Sequence, residues 1–199
     1  LCYQMIKEIN KVFESKLADE LHQYIANAPL RYVENTRQDT GFNHWRYSVA
    51  PGDEANGIDI SKYLPPVVSE AWKQLQAIIG PHALLRCYVT GHTYGIEGYP
   101  HTDSFREHDK TAIIYLNKSW KRDWGGETLV YSGNKIVHAE LPEFNKALIV
   151  HSDQENCARA VTRICPEIRF TLMFKFAPHN VDPIRDKIQS FLEYIECDK

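Results

Sequence analysis

The pattern that decides the fold is clearest in the stretch Glu127-Thr-Leu-Val-Tyr-Ser-Gly-Asn-Lys-Ile-Val-His-Ala-Glu140. Two short runs with β-branched and aromatic residues flank Ser132-Gly133-Asn134, a composition typical of turns. The same pattern recurs through the middle of the chain, so we expect many short strands. The predicted strands are Ala83–Thr90, Thr111–Asn117, Glu127–Tyr131, Lys135–Glu140, Lys146–His151, Cys157–Thr162 and Ile168–Phe176.

Helical spacing of apolar residues is confined to the two ends of the chain. It predicts helices over Ser15–Ala28, Pro66–Ile79 and Pro183–Glu196, the second with a buried stripe through Val67, Ala71, Leu75 and Ile78. Residues 34–65 are interpreted as long loops around a short strand near Trp45–Val49. Strands between helices predict a mainly β fold, a sandwich or barrel with supporting helices. We expect one domain, with N-terminal helices over about 1–80, a core over 83–177 and a C-terminal helix over 183–196.

Composition excludes several classes of function. The 199 residues are 43% hydrophobic and 25% charged, which is an ordinary balance for one globular domain. The net charge of -3 gives no global basic field for nucleic acid, and no apolar run approaches the ~20 residues of a membrane span. The five cysteines form no CxxC pair. They are interpreted as free thiols of a cytoplasmic protein, and the oligomeric state stays open.

The most informative short motif is Tyr99-Pro-His-Thr-Asp-Ser104. In an extended chain, residues i and i+2 point to the same side, so His101 and Asp103 can reach one ion. An imidazole nitrogen with a carboxylate oxygen suits Fe(II), Zn or Mn. The other histidines, among them His44 and His92, show no ligand spacing with one another and are interpreted as structural.

Further motifs follow the His-x-Asp pair in a fixed order: Tyr115-Leu-Asn117, Trp124-Gly-Gly-Glu-Thr128 and Arg169-x-Thr171. With this set the chain resembles the Fe(II)/2-oxoglutarate-dependent dioxygenases, specifically the prolyl 4-hydroxylase-like group, over about Leu84–Phe176. The resemblance implies a double-stranded β-helix, a jelly-roll and cupin-like core. It also implies Fe(II) and 2-oxoglutarate as cofactors, with ascorbate as a possible reductant.

The same resemblance assigns roles to individual residues. His101 and Asp103 would be two ligands of a 2-His-1-carboxylate triad, and Arg169 would bind the distal carboxylate of 2-oxoglutarate. Thr171, Tyr88 and Tyr115 would line the co-substrate pocket. Contacts with substrate are expected from Tyr94, Tyr99 and Arg159.

The sequence departs from the family pattern at the distal histidine. The position that should hold it is Asn156, or Ala158 if the alignment is shifted. The nearest histidine is His151, five residues earlier. Three interpretations stay open: an active site completed by His151, a weakened site completed by Asn156 or water, and a degenerate member with little activity.

The predicted function is hydroxylation of a C–H bond, with a prolyl or other protein side chain as the leading substrate and a small molecule as a second option. The alternative is a non-catalytic module that holds 2-oxoglutarate or a protein partner. A zinc hydrolase is disfavoured because it leaves Arg169 unexplained. No membrane or nucleic-acid partner is expected.

Overall fold

The computed structural model describes residues 6–34, 43–52, 57–104, 106 and 108–179. This part of the chain is mainly β, as predicted, with two helices, α1 (Ser15–Ala26) and α2 (Pro66–Ile79). The strands are β1 (Ile6–Ile9), β2 (Arg31–Glu34), β3 (Asn43–Ser48), β4 (His82–His92), β5 (Lys110–Tyr115), β6 (Thr128–Ser132), β7 (Lys135–Glu140), β8 (Lys146–His151), β9 (Asn156–Ala158) and β10 (Arg169–Pro178). The helix predicted over Pro183–Glu196 lies outside the described residues.

Two antiparallel sheets form the core. One has seven strands in the order β1-β8-β5-β10-β4-β3-β2, and the other has three in the order β7-β6-β9. Val130 of β6 packs in one cluster with Tyr115, Leu148 and Met173 of the larger sheet, so the inward faces of the two sheets meet. Because strand residues alternate between faces, this interior also receives Arg169, Thr171 and Lys175, which share a face with Met173.

The two helices cover the outer face of the larger sheet. α1 buries Leu17, Ala18, Leu21 and Ile25, and α2 buries Val68, Ala71, Trp72 and Leu75. The predicted stripe of α2 is wrong at its end, because Ile78 is 41% exposed. Trp72 is turned inward instead, with its ring centroid 5.5 Å from that of Phe174. Among the described residues, no helix is long and apolar enough to cross a membrane.

The predicted central strands are confirmed, with ends displaced by a few residues. The exception is Cys157–Thr162, of which only Cys157 and Ala158 belong to a strand, β9. Beyond β9, Arg159 and Thr162 donate backbone hydrogen bonds to Glu127 and Trp124, at 2.8 Å each, so this segment continues beside the chain that precedes β6 without forming a regular strand. The outer strands β1 and β2 were not predicted.

Candidate active site

The His-x-Asp motif lies on the loop that joins β4 to β5, and this loop is docked on β9. The backbone groups of His101 and Asn156 exchange two hydrogen bonds, of 3.1 and 2.9 Å, and Gly98 donates to the carbonyl of Ala158 at 2.7 Å. The position of the motif is therefore fixed by main-chain contacts with the strand that carries residue 156.

His101 and Asp103 come together as predicted from their spacing. The Nε2 atom of His101 is 3.5 Å from Oδ1 of Asp103. Its Nδ1 atom lies 2.7 Å from the carbonyl oxygen of Tyr99, which orients the ring and leaves Nε2 on the side of Asp103. The other carboxylate oxygen, Oδ2, accepts a hydrogen bond of 2.7 Å from the hydroxyl of Thr111.

A lysine that the sequence analysis did not single out also reaches this carboxylate. The Nζ atom of Lys175, on β10, is 3.0 Å from Oδ1 of Asp103, and both side chains are at least nine-tenths buried. Burial acts to raise the pKa of Asp103, but the Lys175 ammonium and His101 outweigh it and hold this pKa well below its usual range. Burial acts in turn to lower the pKa of His101, and Asp103 raises it above its ordinary value. Asp103 is therefore ionised in the folded protein.

The two candidates for the third ligand occupy different places. Asn156 is buried opposite His101 and donates one side-chain hydrogen bond, of 3.3 Å, to the carbonyl of Gln154. His151 is opposite Lys110 in the β5–β8 register. Strand alternation places its side chain on the same face as Ala147 and Ile149, which is the face covered by the helices and not the face toward the smaller sheet. Within the described ranges, no third histidine, cysteine or carboxylate joins His101 and Asp103 at ligand distance. His151 therefore lies on the other face of the larger sheet from Lys175 and Asp103, and its role as a third ligand stays a prediction.

Arg169 is held in a cradle formed by the Trp-Gly-Gly-Glu-Thr motif. Its Nε atom donates to the carbonyl of Gly126 at 2.6 Å, and Nη2 donates to the hydroxyl of Thr128 at 2.8 Å. Gly126 has φ +75°, and a Cβ there would lie 2.9 Å from Cδ of Arg169, so only glycine brings this carbonyl so close. The Trp-Gly-Gly-Glu-Thr and Arg-x-Thr motifs, which are far apart in sequence, thus form this cradle together.

In the described part of the chain, no carboxylate lies within ion-pair distance of Arg169, and Glu127 acts on its charge only from farther away. The residue is 1% exposed, and it donates hydrogen bonds to Gly126 and Thr128. Burial lowers the pKa of its guanidinium group from the ordinary value. A buried cation is costly unless an anion compensates it, so this cradle is suited to bind a carboxylate.

The residues around Arg169 form a polar floor. Tyr115 is fully buried, donates to the hydroxyl of Thr128 at 2.7 Å, and has its pKa raised to about 12 by burial. The hydroxyl of Thr171 is 2.6 Å from that of Thr90. His92 is paired with Arg169 in the β4–β10 register, and no described residue hydrogen-bonds its buried Nδ1. Burial lowers the pKa of His92 well below its ordinary value, so the ring is neutral.

The remaining predicted residues lie at two other places. Tyr88 is buried beside Lys175, whose Nζ is 5.9 Å from the centroid of the tyrosine ring, and not beside Arg169. Tyr94 and Tyr99 are 64% and 47% exposed. Arg159 is half exposed and its Nε lies 2.9 Å from a carboxylate oxygen of Glu97. These last three residues lie at the surface near the His-x-Asp loop.

The donor set fits a divalent metal and a dicarboxylate. His101 Nε2 and Asp103 Oδ1 would hold the metal, because imidazole and carboxylate ligands suit Fe(II). Arg169 would hold a carboxylate group, because no described carboxylate lies within ion-pair distance of it. The residues that contact or adjoin these side chains, to which the sequence motifs assign no individual role, are Thr111, Gly126, Thr128, His92 and Lys175. Lys175 could have been found from its even spacing after Arg169 and Thr171.

Comparison with known proteins identifies the class. The family model described as the 2OG-Fe(II) oxygenase superfamily matches residues 85–189, more than half of the chain. The chain belongs to this family of 2-oxoglutarate-dependent enzymes. None of the curated proteins compared with it matches in sequence.

Solved structures show the same fold at low sequence identity. A prolyl-4-hydroxylase from Pseudomonas putida superposes with a TM-score of 0.62 at 17% identity, covering 88% of this chain and 94% of its own. A prolyl hydroxylase from Trichoplax adhaerens, in complex with a hypoxia inducible factor peptide fragment, gives 0.62 at 20% identity, covering 94% and 86%. HygX from Streptomyces hygroscopicus, with nickel, 2-oxoglutarate and hygromycin B bound, gives 0.62 at 14% identity, covering 90% and 85%. The predicted double-stranded β-helix is confirmed.

Proposed function

We propose that this protein binds 2-oxoglutarate at Arg169 and uses it, with Fe(II) at His101 and Asp103, to hydroxylate a C–H bond of a substrate. The observation that carries the proposal is the buried guanidinium of Arg169, which has no described carboxylate within ion-pair distance. A bound Fe(II) would supply the redox chemistry, in which 2-oxoglutarate and O2 are consumed, succinate and CO2 leave, and C–H becomes C–OH. Ascorbate is proposed as the reductant that keeps the metal ferrous.

The leading substrate is a prolyl or other side chain of a peptide. Two exposed tyrosines, Tyr94 and Tyr99, precede His101 in the chain and offer aromatic surface beside the His-x-Asp motif. The peptide complex of the Trichoplax relative supports this substrate class, and the antibiotic complex of HygX supports a small molecule as the second option. A reducing, cytoplasmic setting is proposed from the free thiols of Cys87, Cys157 and Cys165.

A second candidate function is a non-catalytic module that holds 2-oxoglutarate. Two observations favour it: an amide stands where the family pattern requires the distal histidine, and the Asp103 carboxylate is already paired with Lys175. An amide oxygen is a weaker ligand for Fe(II) than imidazole. This arrangement would keep the arginine cradle and lose the turnover.

Formation of succinate distinguishes the two functions. The native chain, Asn156→His, Arg169→Met and His151→Ala are compared with Fe(II), 2-oxoglutarate and O2. We expect the native chain to form succinate, Asn156→His to form it faster, and Arg169→Met to form none. His151→Ala is the matched control, since its side chain lies on the other face of the sheet. If only Asn156→His turns over, the native protein is the binding module.

A further inference from the structure

The oxygen atom that a metal would need is already held by a cation of the protein. In Asp103, Oδ2 accepts from Thr111, while Oδ1 lies on the side of His101 Nε2. The ammonium of Lys175 is 3.0 Å from this same Oδ1. A metal bound between His101 and Asp103 must therefore share or replace the contact that Lys175 makes.

The surroundings of Lys175 add positive charge. It is opposite Arg86 in the β4–β10 register, and the guanidinium carbons of Arg86 and Arg46 lie 5.1 and 4.4 Å from the ring centroid of Tyr88. Lys175 itself is 5.9 Å from that centroid. Three cationic side chains thus surround Tyr88. Their positive charge repels a divalent cation bound at the carboxylate of Asp103.

We infer that Lys175 is the resident cation of this site: it neutralises Asp103 in the metal-free protein, and a metal binds only by displacing its ammonium group. The inference rests on the proposed function in taking His101 and Asp103 as the metal ligands. It goes beyond that function because it makes the metal affinity of the site depend on Lys175, which contacts the carboxylate but is not a metal ligand.

The burial of Asp103 explains why such a cation is needed. Its side chain is 3% exposed, and a buried carboxylate without a counter-charge is strongly destabilising. With Lys175 in contact, the site is compensated and formed in the absence of metal. The flexible four-carbon stem of lysine also allows the ammonium group to withdraw when a metal arrives, which the fixed fork of arginine would not.

Metal titration tests the inference without any turnover. Mn(II), which is stable in air and visible by electron paramagnetic resonance, is titrated into the metal-free native chain, Lys175→Met, Lys175→Gln and Lys175→Arg. We expect the two neutral variants to bind Mn(II) at least about tenfold more tightly than the native chain, because one repelling charge is removed. Lys175→Arg is expected to bind Mn(II) more weakly than the native chain, because the fixed fork of arginine does not withdraw from Asp103. Lys110→Met, on the outward face of β5, is the control for loss of an unrelated cation.

Thermal unfolding in EDTA provides a second readout. The native chain is expected to unfold at the same temperature with and without EDTA, whereas Lys175→Met unfolds at a lower temperature in EDTA and recovers with Mn(II). If Lys175→Met does not fold, the same unfolding measurement is made on Lys175→Gln.

Three results would overturn the inference, and they are distinguishable from one another. Equal Mn(II) affinity of the native chain and the neutral variants refutes displacement but leaves the metal site and the proposed function intact. Equal stability of the native and neutral variants in EDTA refutes the counter-charge role. Absence of Mn(II) binding by every variant, including Asn156→His, refutes the His101–Asp103 metal site and the proposed oxygenase function together.

Discussion

At the scale of single residues, Gly126 shapes the cradle around Arg169 through its missing side chain. Its φ of +75° is in the left-handed region, and an added Cβ would lie 2.9 Å from Cδ of Arg169. We predict that Gly126→Ala loses about 1–2 kcal/mol of unfolding free energy from backbone strain and also binds 2-oxoglutarate at least about tenfold more weakly. Calorimetric titration with 2-oxoglutarate and urea unfolding measure the two effects.

Gly133 is the matched control for this prediction. It also has a positive φ, of +55°, but nothing lies within 4 Å of its added Cβ. Gly133→Ala should therefore show a similar loss of stability and unchanged binding of 2-oxoglutarate. Equal weakening in both variants would show that Gly126 acts through the fold and not through Arg169.

Residues of the site were predictable where local spacing specifies them. His101 and Asp103 are two positions apart, and Arg169 and Thr171 repeat this spacing, so strand alternation alone places each pair on one face. The contact of Lys175 with Asp103 joins β10 to the loop between β4 and β5, and no local pattern encodes a contact between segments so remote in sequence. His44 and His92, which were interpreted as structural, stack with ring centroids 5.9 Å apart on adjacent strands, a contact that their spacing does not show.

At the scale of secondary-structure elements, an ion cluster ties β1, β7 and β8 together. The buried ammonium of Lys146 is 2.8 Å from carboxylate oxygens of both Glu8 and Glu140. Burial acts to lower the pKa of Lys146, and the two carboxylates outweigh it and raise this pKa. Without the ammonium group, the nearly buried Glu140 keeps an uncompensated charge.

We predict that Lys146→Met lowers the free energy of unfolding by about 3 kcal/mol, as removal of one partner of a buried ion pair does. Urea unfolding at neutral pH measures this value. Lys16→Met provides the comparison, because Lys16 is 89% exposed and 3.9 Å from Glu20, and its loss should change stability by less than about 0.5 kcal/mol. A loss as small for Lys146→Met would mean that the cluster does not hold the strands.

The elements that sequence could predict are those with long apolar patterns. The central strands β4, β5, β8 and β10 are buried on both faces and contain continuous apolar runs. β1 is only Ile-Lys-Glu-Ile, with two exposed charged residues, and it becomes a strand through its pairing with β8. Such an edge strand depends on a partner far along the chain, which local composition does not show.

At the scale of the whole molecule, buried histidines make stability depend on pH. Burial lowers the pKa of His92 and of His44, so the unfolded chain binds their protons first as the pH falls. Their contribution to the free energy of unfolding therefore decreases below about pH 6.5. His101, whose pKa is raised, has the opposite sign: its contribution is present below that pH and is lost as the pH rises through its folded pKa.

Comparison of variants separates these contributions. When the pH falls from 7.5 to 5, we predict that the free energy of unfolding decreases more for the native chain than for His92→Gln. The two decreases should differ by at least about 1 kcal/mol. Chemical unfolding at several pH values measures the difference. An unchanged pH dependence in His92→Gln would show that His92 is not held neutral in the fold.

The main-chain bridge between His101 and Asn156 has a consequence for how this site changes over generations. Backbone hydrogen bonds of His101, Asn156 and Gly98, together with the ion pair between Arg159 and Glu97, dock the motif loop on β9, and none of them uses the side chain at position 156. Asparagine and histidine codons differ by a single base. One base change therefore alters the side chain at the proposed ligand position and leaves these docking contacts in place.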